Sequence, residues 1–231
     1  MGDNAYTFEP IDTNIPNVYA AIVSIDDLQK VTEEFISIIN DQSWMTQLDE
    51  GSRRSYEKSV SDTAQILTAI IVQSGQDNSI HSEFGEILVS ISAGKALESL
   101  LSYIVLPLSE LWKPQKRQNE GFDFHTTCPR SLLNYGEAKY LKRSSPHKQA
   151  LDQIQSFFND EKHFRDRVYL RDLVSDEIIQ NLDDRLYGAI AAFSINAKEP
   201  NVVIMNALNN ISEEVHDLVQ QIYLIGVICE P

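Results

Sequence analysis

One aspartate, one glutamate and one lysine have the residue types and the spacing to do chemistry together. Asp123 sits in Gly121-Phe122-Asp123-Phe124, and Glu137 and Lys139 sit in Tyr135-Gly136-Glu137-Ala138-Lys139-Tyr140. Side chains alternate along a strand, so Glu137 and Lys139 project from one face while Ala138 and Tyr140 project from the other. A hairpin brings Asp123 onto that same face, and two carboxylates and an ammonium then converge. By itself this arrangement is costly, because like charges repel and burial disfavours ions. A hard divalent cation offsets that cost: Mg2+ (or Mn2+) prefers carboxylate oxygens and keeps several waters for a phosphate substrate. Beside it, Lys139 can stabilise charge on the phosphate or help to activate a water. Without chemistry, the same residues are an ordinary strand face carrying a Glu–Lys pair.

Two strands must hold this group. The first is expected from about Phe122 to Thr127 and the second from about Leu132 to Leu141, with Cys128-Pro129-Arg130-Ser131 as the turn, since proline lacks a donor and punctuates strands. A helix is expected from about Ser79 to Val105, opening Ile80-His81-Ser82-Glu83-Phe84-Gly85-Glu86-Ile87-Leu88. Glu83 and Glu86 are three apart and share a helix face. Glu86 is preferred for the site because Gly85 beside it permits close backbone approach, with Glu83 in reserve. Acidic residues at a helix start also suit the helix dipole without any further role. After the second strand, Leu141-Lys142-Arg143-Ser144-Ser145-Pro146 forms a basic loop. It leads into a helix to about Asn159, whose first turn carries His147 and Lys148 and makes a ready phosphate site.

On these residues the chain resembles the restriction-endonuclease-like nuclease superfamily, whose signature is Asp, a spacer, then (Asp/Glu)-x-Lys, with a preceding helix that often adds an acidic residue. Ile80 to Leu88 together with Gly136 to Tyr140 resemble more narrowly the nuclease subunits of the Hachiman anti-phage defence system. The likeness covers residues 80–160; outside them it rests on length and element order. It implies an α/β fold with a restriction-endonuclease-like core, a central mixed sheet flanked by helices. It also implies a Mg2+-dependent deoxyribonuclease in which Asp123 and Glu137 hold the metal, Glu86 or Glu83 completes the shell, and Lys139 acts beside it. Lys142, Arg143 and Lys148 would grip flanking phosphates of DNA without reading bases. The implied partner is a superfamily 2 helicase subunit that restrains the nuclease until it acts on phage or damaged DNA. The competing expectation is a non-catalytic binding or regulatory subunit with a decayed site.

Composition bounds these expectations. The chain has 231 residues, enough for a substantial core, and apolar and charged fractions of 42% and 23%, those of an ordinary globular protein. No apolar run approaches a membrane span, and the start lacks the pattern of a signal peptide or a convincing myristoylation signal. Two cysteines, Cys128 and Cys229, are too few for a disulfide framework or structural zinc, so reduced thiols and a cytoplasmic location are expected. The formal charge of -15 opposes binding to DNA, which is largely phosphate neutralisation. Its distribution runs the other way around the candidate site, where Lys113, Lys116, Arg117, Arg130, Lys139, Lys142, Arg143 and Lys148 outnumber Glu120, Asp123 and Glu137. A body this acidic is expected to hold DNA poorly alone and to need a partner that delivers it.

Along the rest of the chain, residues 1–16 read as an extended lead-in and Val18 to Ser24 as a strand. Ser24 is the expected cap of a helix to Asn40. Asp49-Glu50-Gly51-Ser52 reads as a break and Arg54 to Gln73 as a helix. Residues 1–78 are thus expected to form a mostly helical extension without chemistry, ahead of a nuclease-like core at 79–231. Leu97, Leu100, Leu101, Ile104 and Leu108 look like core. Residues 160–184 read as charged helix anchored by Phe164, Val168, Leu170 and Leu173, Tyr187 to Ile195 as a buried strand, and Asn201 to Met205 as extended. A helix capped by Ser212 and a final strand from Ile222 close the sheet.

Overall fold

A computed structural model describes residues 5–76, 80–113 and 121–229. Pro114, Lys116, Arg117 and Glu120, and the 77–79 part of the expected polar loop, lie outside the described residues. In chain order the elements are β1 (Tyr6–Ile11), β2 (Val18–Ile25), α1 (Leu28–Asn40), a 3-10 turn (Ser43–Gln47), α2 (Glu50–Gln76), α3 (Ser82–Leu101), β3 (Ile104–Val105), α4 (Ser109–Trp112), β4 (Phe124–Thr127), β5 (Leu133–Lys139), α5 (His147–Asn159), α6 (Lys162–Leu170), α7 (Asp176–Asp183), β6 (Tyr187–Ser194), α8 (Pro200–Asn209), α9 (Glu213–Leu218) and β7 (Gln221–Ile228).

Among the described residues the strands form one seven-stranded sheet in the order β1-β2-β7-β6-β5-β4-β3. Strands β2, β7, β6 and β5 run parallel, and antiparallel pairs close both sides. The fold is therefore α/β with a mixed sheet. Parallel strands need covered faces, which is why β6 reads Tyr-Gly-Ala-Ile-Ala-Ala-Phe-Ser and is buried along its whole length. Helix α3 is buried nearly all round, from Phe84 to Leu97, as expected of a helix apolar on every side. It packs on β5, β6 and β7, while α5 packs on β5 and β6 through Ala150, Leu151, Ile154, Phe157 and Phe158. These two helices and the β4–β5 hairpin are what position the candidate site.

Several local expectations are corrected, each for an identifiable reason. The lead-in contains β1, an edge strand whose open side tolerates the missing donor of Pro10. Strand β2 lies between β1 and β7, so residues 1–78 are more than a helical extension: they add two strands to the sheet that carries the site. Ser24 is still paired with Ile228 inside the sheet, and Asp27 caps α1 instead, its Oδ1 accepting from the Lys30 N–H at 3.1 Å. The expected break at 49–52 is also a cap. Asp49 Oδ1 accepts from the N–H of Gly51 at 2.8 Å and of Ser52 at 3.1 Å, and α2 begins at Glu50.

Helix α3 ends earlier than expected. Ser102 takes a left-handed conformation (φ 57°), and the Tyr103 N–H reaches back to Leu97 O at 3.3 Å, a helix-ending bond that releases Ile104 into an edge strand, 67% exposed. Val168 is 64% exposed rather than an anchor, whereas Leu170 is buried. The segment expected to be extended at 201–205 is helical. Pro200 opens α8, and Val203, Ile204, Ala207 and Leu208 bury one face. So short an apolar run does not distinguish strand from helix.

Candidate active site: a carboxylate–lysine cluster on a hairpin

Strands β4 and β5 are an antiparallel hairpin in which Phe124 pairs with Gly136, bringing Asp123 to the level of Glu137. The backbone fixes Asp123 on both sides: its N–H donates to Gly136 O at 2.9 Å, and its carbonyl accepts from the Ser109 N–H at 3.1 Å. Its side chain is fixed as well, because the Ala138 N–H donates to Asp123 Oδ2 at 2.7 Å. The Asp123 carboxylate thus rests on the peptide that joins Glu137 to Ala138. Lys139 Nζ lies 2.7 Å from Glu137 Oε1 across the same strand face. Glu137 is 1% exposed, and its other oxygen, Oε2, is buried with no hydrogen-bond partner.

Electrostatics binds Glu86 into this group. Burial raises its carboxyl above the usual range, and the charges of Asp123 and Glu83 add to the rise while Lys139 opposes it. The Asp123 carboxyl is raised by burial against the opposing Ala138 N–H and the Lys139 and Lys113 ammoniums. Glu137 is raised well above its ordinary value by burial and then by Asp123. Burial alone would lower Lys139, but Glu137, Asp123 and Glu86 prevail and hold its ammonium charged. These mutual effects place Glu86 within electrostatic reach of Asp123, Glu137 and Lys139.

Glu83 is different. It is exposed in the first turn of α3, so of the two helix glutamates Glu86 is the one built into the group. Gly85 explains how the helix comes so near. A Cβ there would stand 2.2 Å from the Tyr140 ring, so only glycine lets α3 lie against the end of β5. Gly85→Ala is expected to cost about 1–3 kcal/mol in a urea unfolding experiment, because the ring must move. An unchanged midpoint would mean that α3 and Tyr140 are not in contact.

The basic residues divide. Lys142 and Arg143 are exposed on the turn after β5. That turn is anchored to the end of β6, with the Leu141 N–H donating to Ser194 Oγ at 3.1 Å and the Asn196 N–H donating to Ser145 Oγ at 3.3 Å. Both side chains stand at the carboxyl ends of parallel strands, where open α/β sheets bind ligands. Lys148 is on α5 and is held by Asp152 at 3.0 Å, an exposed i, i+4 pair that takes up part of its charge.

Two features have almost no signature in the sequence. Glu110, on α4, has a carboxyl pushed up to about 7 by burial and by the charge of Asp123, with Glu86 adding and Lys113 opposing, so it belongs to the same electrostatic group. Its only signal is an acid at the start of a short segment after Pro107. Behind the hairpin, Ser109, His125, Asp166 and Lys113 form a buried polar chain: Ser109 Oγ is 3.1 Å from His125 Nδ1, and Lys113 Nζ is 2.7 Å from Asp166 Oδ2. The residue types are those of a hydrolase triad, but His125 is fully buried and 3.6 Å from Asp166, beyond hydrogen-bond length, so no substrate reaches it. A cavity of about 570 Å³ lies between the turn after β1 and the end of α3, lined by residues such as Asn14, Tyr19, Leu97 and Tyr223 and by none of the carboxylates named here.

Comparisons with known proteins add nothing to this geometry. The chain matches no protein-family model, no curated protein and no solved structure. Among the described residues, no three His, Cys, Asp or Glu side chains form a ready metal-holding group. The donors nevertheless fit a hard divalent cation in type and charge. Asp123 and Glu137 offer carboxylate oxygens, Glu137 Oε2 is an orphaned buried acceptor, and Mg2+ is commonly held by one or two carboxylates with waters and phosphates completing its shell.

Proposed function

We propose that this chain is a Mg2+- or Mn2+-dependent deoxyribonuclease with a restriction-endonuclease-like core. In this reading it is the nuclease subunit of a Hachiman-type anti-phage defence complex and works with a superfamily 2 helicase. The observation that carries the reading is the convergence of Asp123, Glu137 and Lys139, with Lys139 Nζ 2.7 Å from Glu137 Oε1 and the intervening Ala138 N–H bound to Asp123 Oδ2. Asp123 and Glu137 hold the cation, and Glu86 completes or orients their shell. The bound cation supplies a water of lowered pKa and positive charge at the phosphate. Lys139 keeps its proton and adds the remaining positive charge beside the scissile group. Lys142 and Arg143, at the strand ends, grip flanking phosphates, and Lys148 contributes less because Asp152 neutralises part of it.

The formal charge of -15 supports a division of labour in which the helicase brings DNA to a chain that holds it weakly alone. The test is cleavage of single- and double-stranded DNA by the purified chain in Mg2+ or Mn2+, with and without a co-purifying helicase. EDTA is expected to abolish cleavage, and an excess of Mg2+ to restore it. Full activity in EDTA overturns the metal mechanism. No cleavage under any of these conditions, with the partner present, assigns the chain instead to a binding or regulatory role with a decayed site.

A further inference from the structure

The buried chain behind the hairpin closes into a ring, and the ring ends on Asp123. Lys113 follows α4, and its N–H donates to Ser109 O at 2.9 Å, so the first and last residues of the ring lie on one helical turn. From Ser109 Oγ the ring passes to His125 Nδ1 at 3.1 Å. His125 Nε2 faces Asp166 Oδ2 at 3.6 Å, and the same oxygen lies 2.7 Å from Lys113 Nζ. Ser109, His125, Asp166 and the Lys113 side chain are all buried. A buried ion pair is weak support for stability, since two hydrophobic residues of similar volume often do as well, so its presence here asks for another explanation.

Two members of the ring touch the backbone around Asp123. Lys113 Nζ donates to Phe122 O at 2.9 Å, and the Ser109 N–H donates to Asp123 O at 3.1 Å. The carbonyls on both sides of Asp123 are thereby fixed from behind, while β5 fixes its N–H and its carboxylate from the front. Gly121 lies against the pair, since a Cβ there would stand 3.0 Å from Lys113 Nζ and in ordinary contact, 3.7 Å, with both Asp166 carboxylate oxygens. We propose that Ser109, Lys113, His125 and Asp166 are positioning residues that hold Asp123 where it binds a divalent cation. None of the four touches the cation or the substrate; they act through the backbone of residues 122 and 123.

The proposal rests on the divalent-cation reading of the site, so the test separates the two. Lys113→Met with Asp166→Leu removes both charges and keeps volume, and Gly121→Ala keeps every charged group but presses on the ammonium. Mn2+ binding is measured by titration calorimetry on wild type and both variants, with thermal unfolding alongside and cleavage followed against Mg2+ concentration. Both variants are expected to unfold within about 5 °C of wild type and to bind Mn2+ about 10–100-fold more weakly. The half-saturating Mg2+ concentration should rise by a similar factor, while cleavage at saturating Mg2+ recovers far more than half-saturation does. A role in stability alone would lower the unfolding temperature and leave Mn2+ affinity unchanged, and that result overturns the proposal. If the double variant does not fold, Gly121→Ala decides by itself. If the wild type binds Mn2+ and cuts DNA but the variants bind as tightly, only the positioning role fails. If the wild type neither binds Mn2+ nor cuts, the cation reading fails and the proposal falls with it.

Discussion

Replacing Glu137 and Lys139 together by alanine is expected to remove the proposed DNA cleavage, by at least about 10³-fold, and to leave a protein that folds better than Lys139→Ala alone. The loss of activity follows from the proposed function, in which Glu137 holds the cation and Lys139 stands beside it, and removal of either is expected to cost about 10²–10³-fold. The stability order follows from burial. Glu137 is 1% exposed, and of its two oxygens only Oε1 has a partner, the Lys139 ammonium at 2.7 Å. Removing Lys139 leaves the Glu137 carboxyl buried without its partner, at a cost of about 2–3 kcal/mol, on the low side for a buried pair because Lys139 retains 19% side-chain exposure. Removing both partners takes away that unpartnered group as well. A cleavage assay and urea unfolding of the two single variants and the double variant check both statements. Cleavage by the double variant at the wild-type rate removes these residues from the active site. A double variant destabilised by the sum of the single effects would mean that the two side chains do not interact.

Those parts of the site that are neighbours along the chain are legible in the sequence itself. Asp123, the Cys128-Pro129-Arg130-Ser131 turn and Glu137-Ala138-Lys139 lie within one hairpin, where alternation and a proline decide the faces. Gly85 next to Glu86 is likewise a local signal, and the Tyr140 ring against it supplies the physical reason. What is not legible depends on distant parts of the chain. Asp166 reads as one more acid on a charged helix, and Arg167 beside it does pair with Asp183 at the surface. Only the packing of α6 behind the hairpin buries Asp166 against Lys113 and His125. The place of β2 between β1 and β7 rests on parallel pairing across about the whole chain, which no local pattern announces. The left-handed Ser102 that ends α3 carries no glycine to mark it.

In EDTA the protein is expected to lose stability as the pH rises above about 6.5. Burial raises the carboxyls of Asp123, Glu137, Glu86 and Glu110, and the Asp123 charge adds to the rise of the other three, Glu110 to about 7 and Glu137 well above its ordinary value. A raised carboxyl holds a proton in the folded chain that the unfolded chain has released. Its contribution is fully present below the unfolded value of about 4 and is lost as the pH rises through the folded one, at up to about 1.4 kcal/mol per proton per pH unit. Two histidines act in the opposite direction over part of this range. Burial lowers His125 and His163 to about 4, so between about 4 and 6.5 the unfolded chain takes up protons that the folded chain refuses, and stability rises with pH. The histidines oppose the carboxyls up to about pH 6.5, and above it the raised carboxyls, Glu110 among them, act alone. Glu110→Gln with Glu137→Gln should therefore flatten the profile above about pH 6.5 and, by removing what offsets the histidines, make stability rise more steeply with pH between about 4 and 6.5. Mg2+ should raise the unfolding temperature more at pH 8 than at pH 6, because cation and proton compete for the same oxygens. An alkaline side that neither the double substitution nor Mg2+ changes would mean that these carboxylates do not share one site.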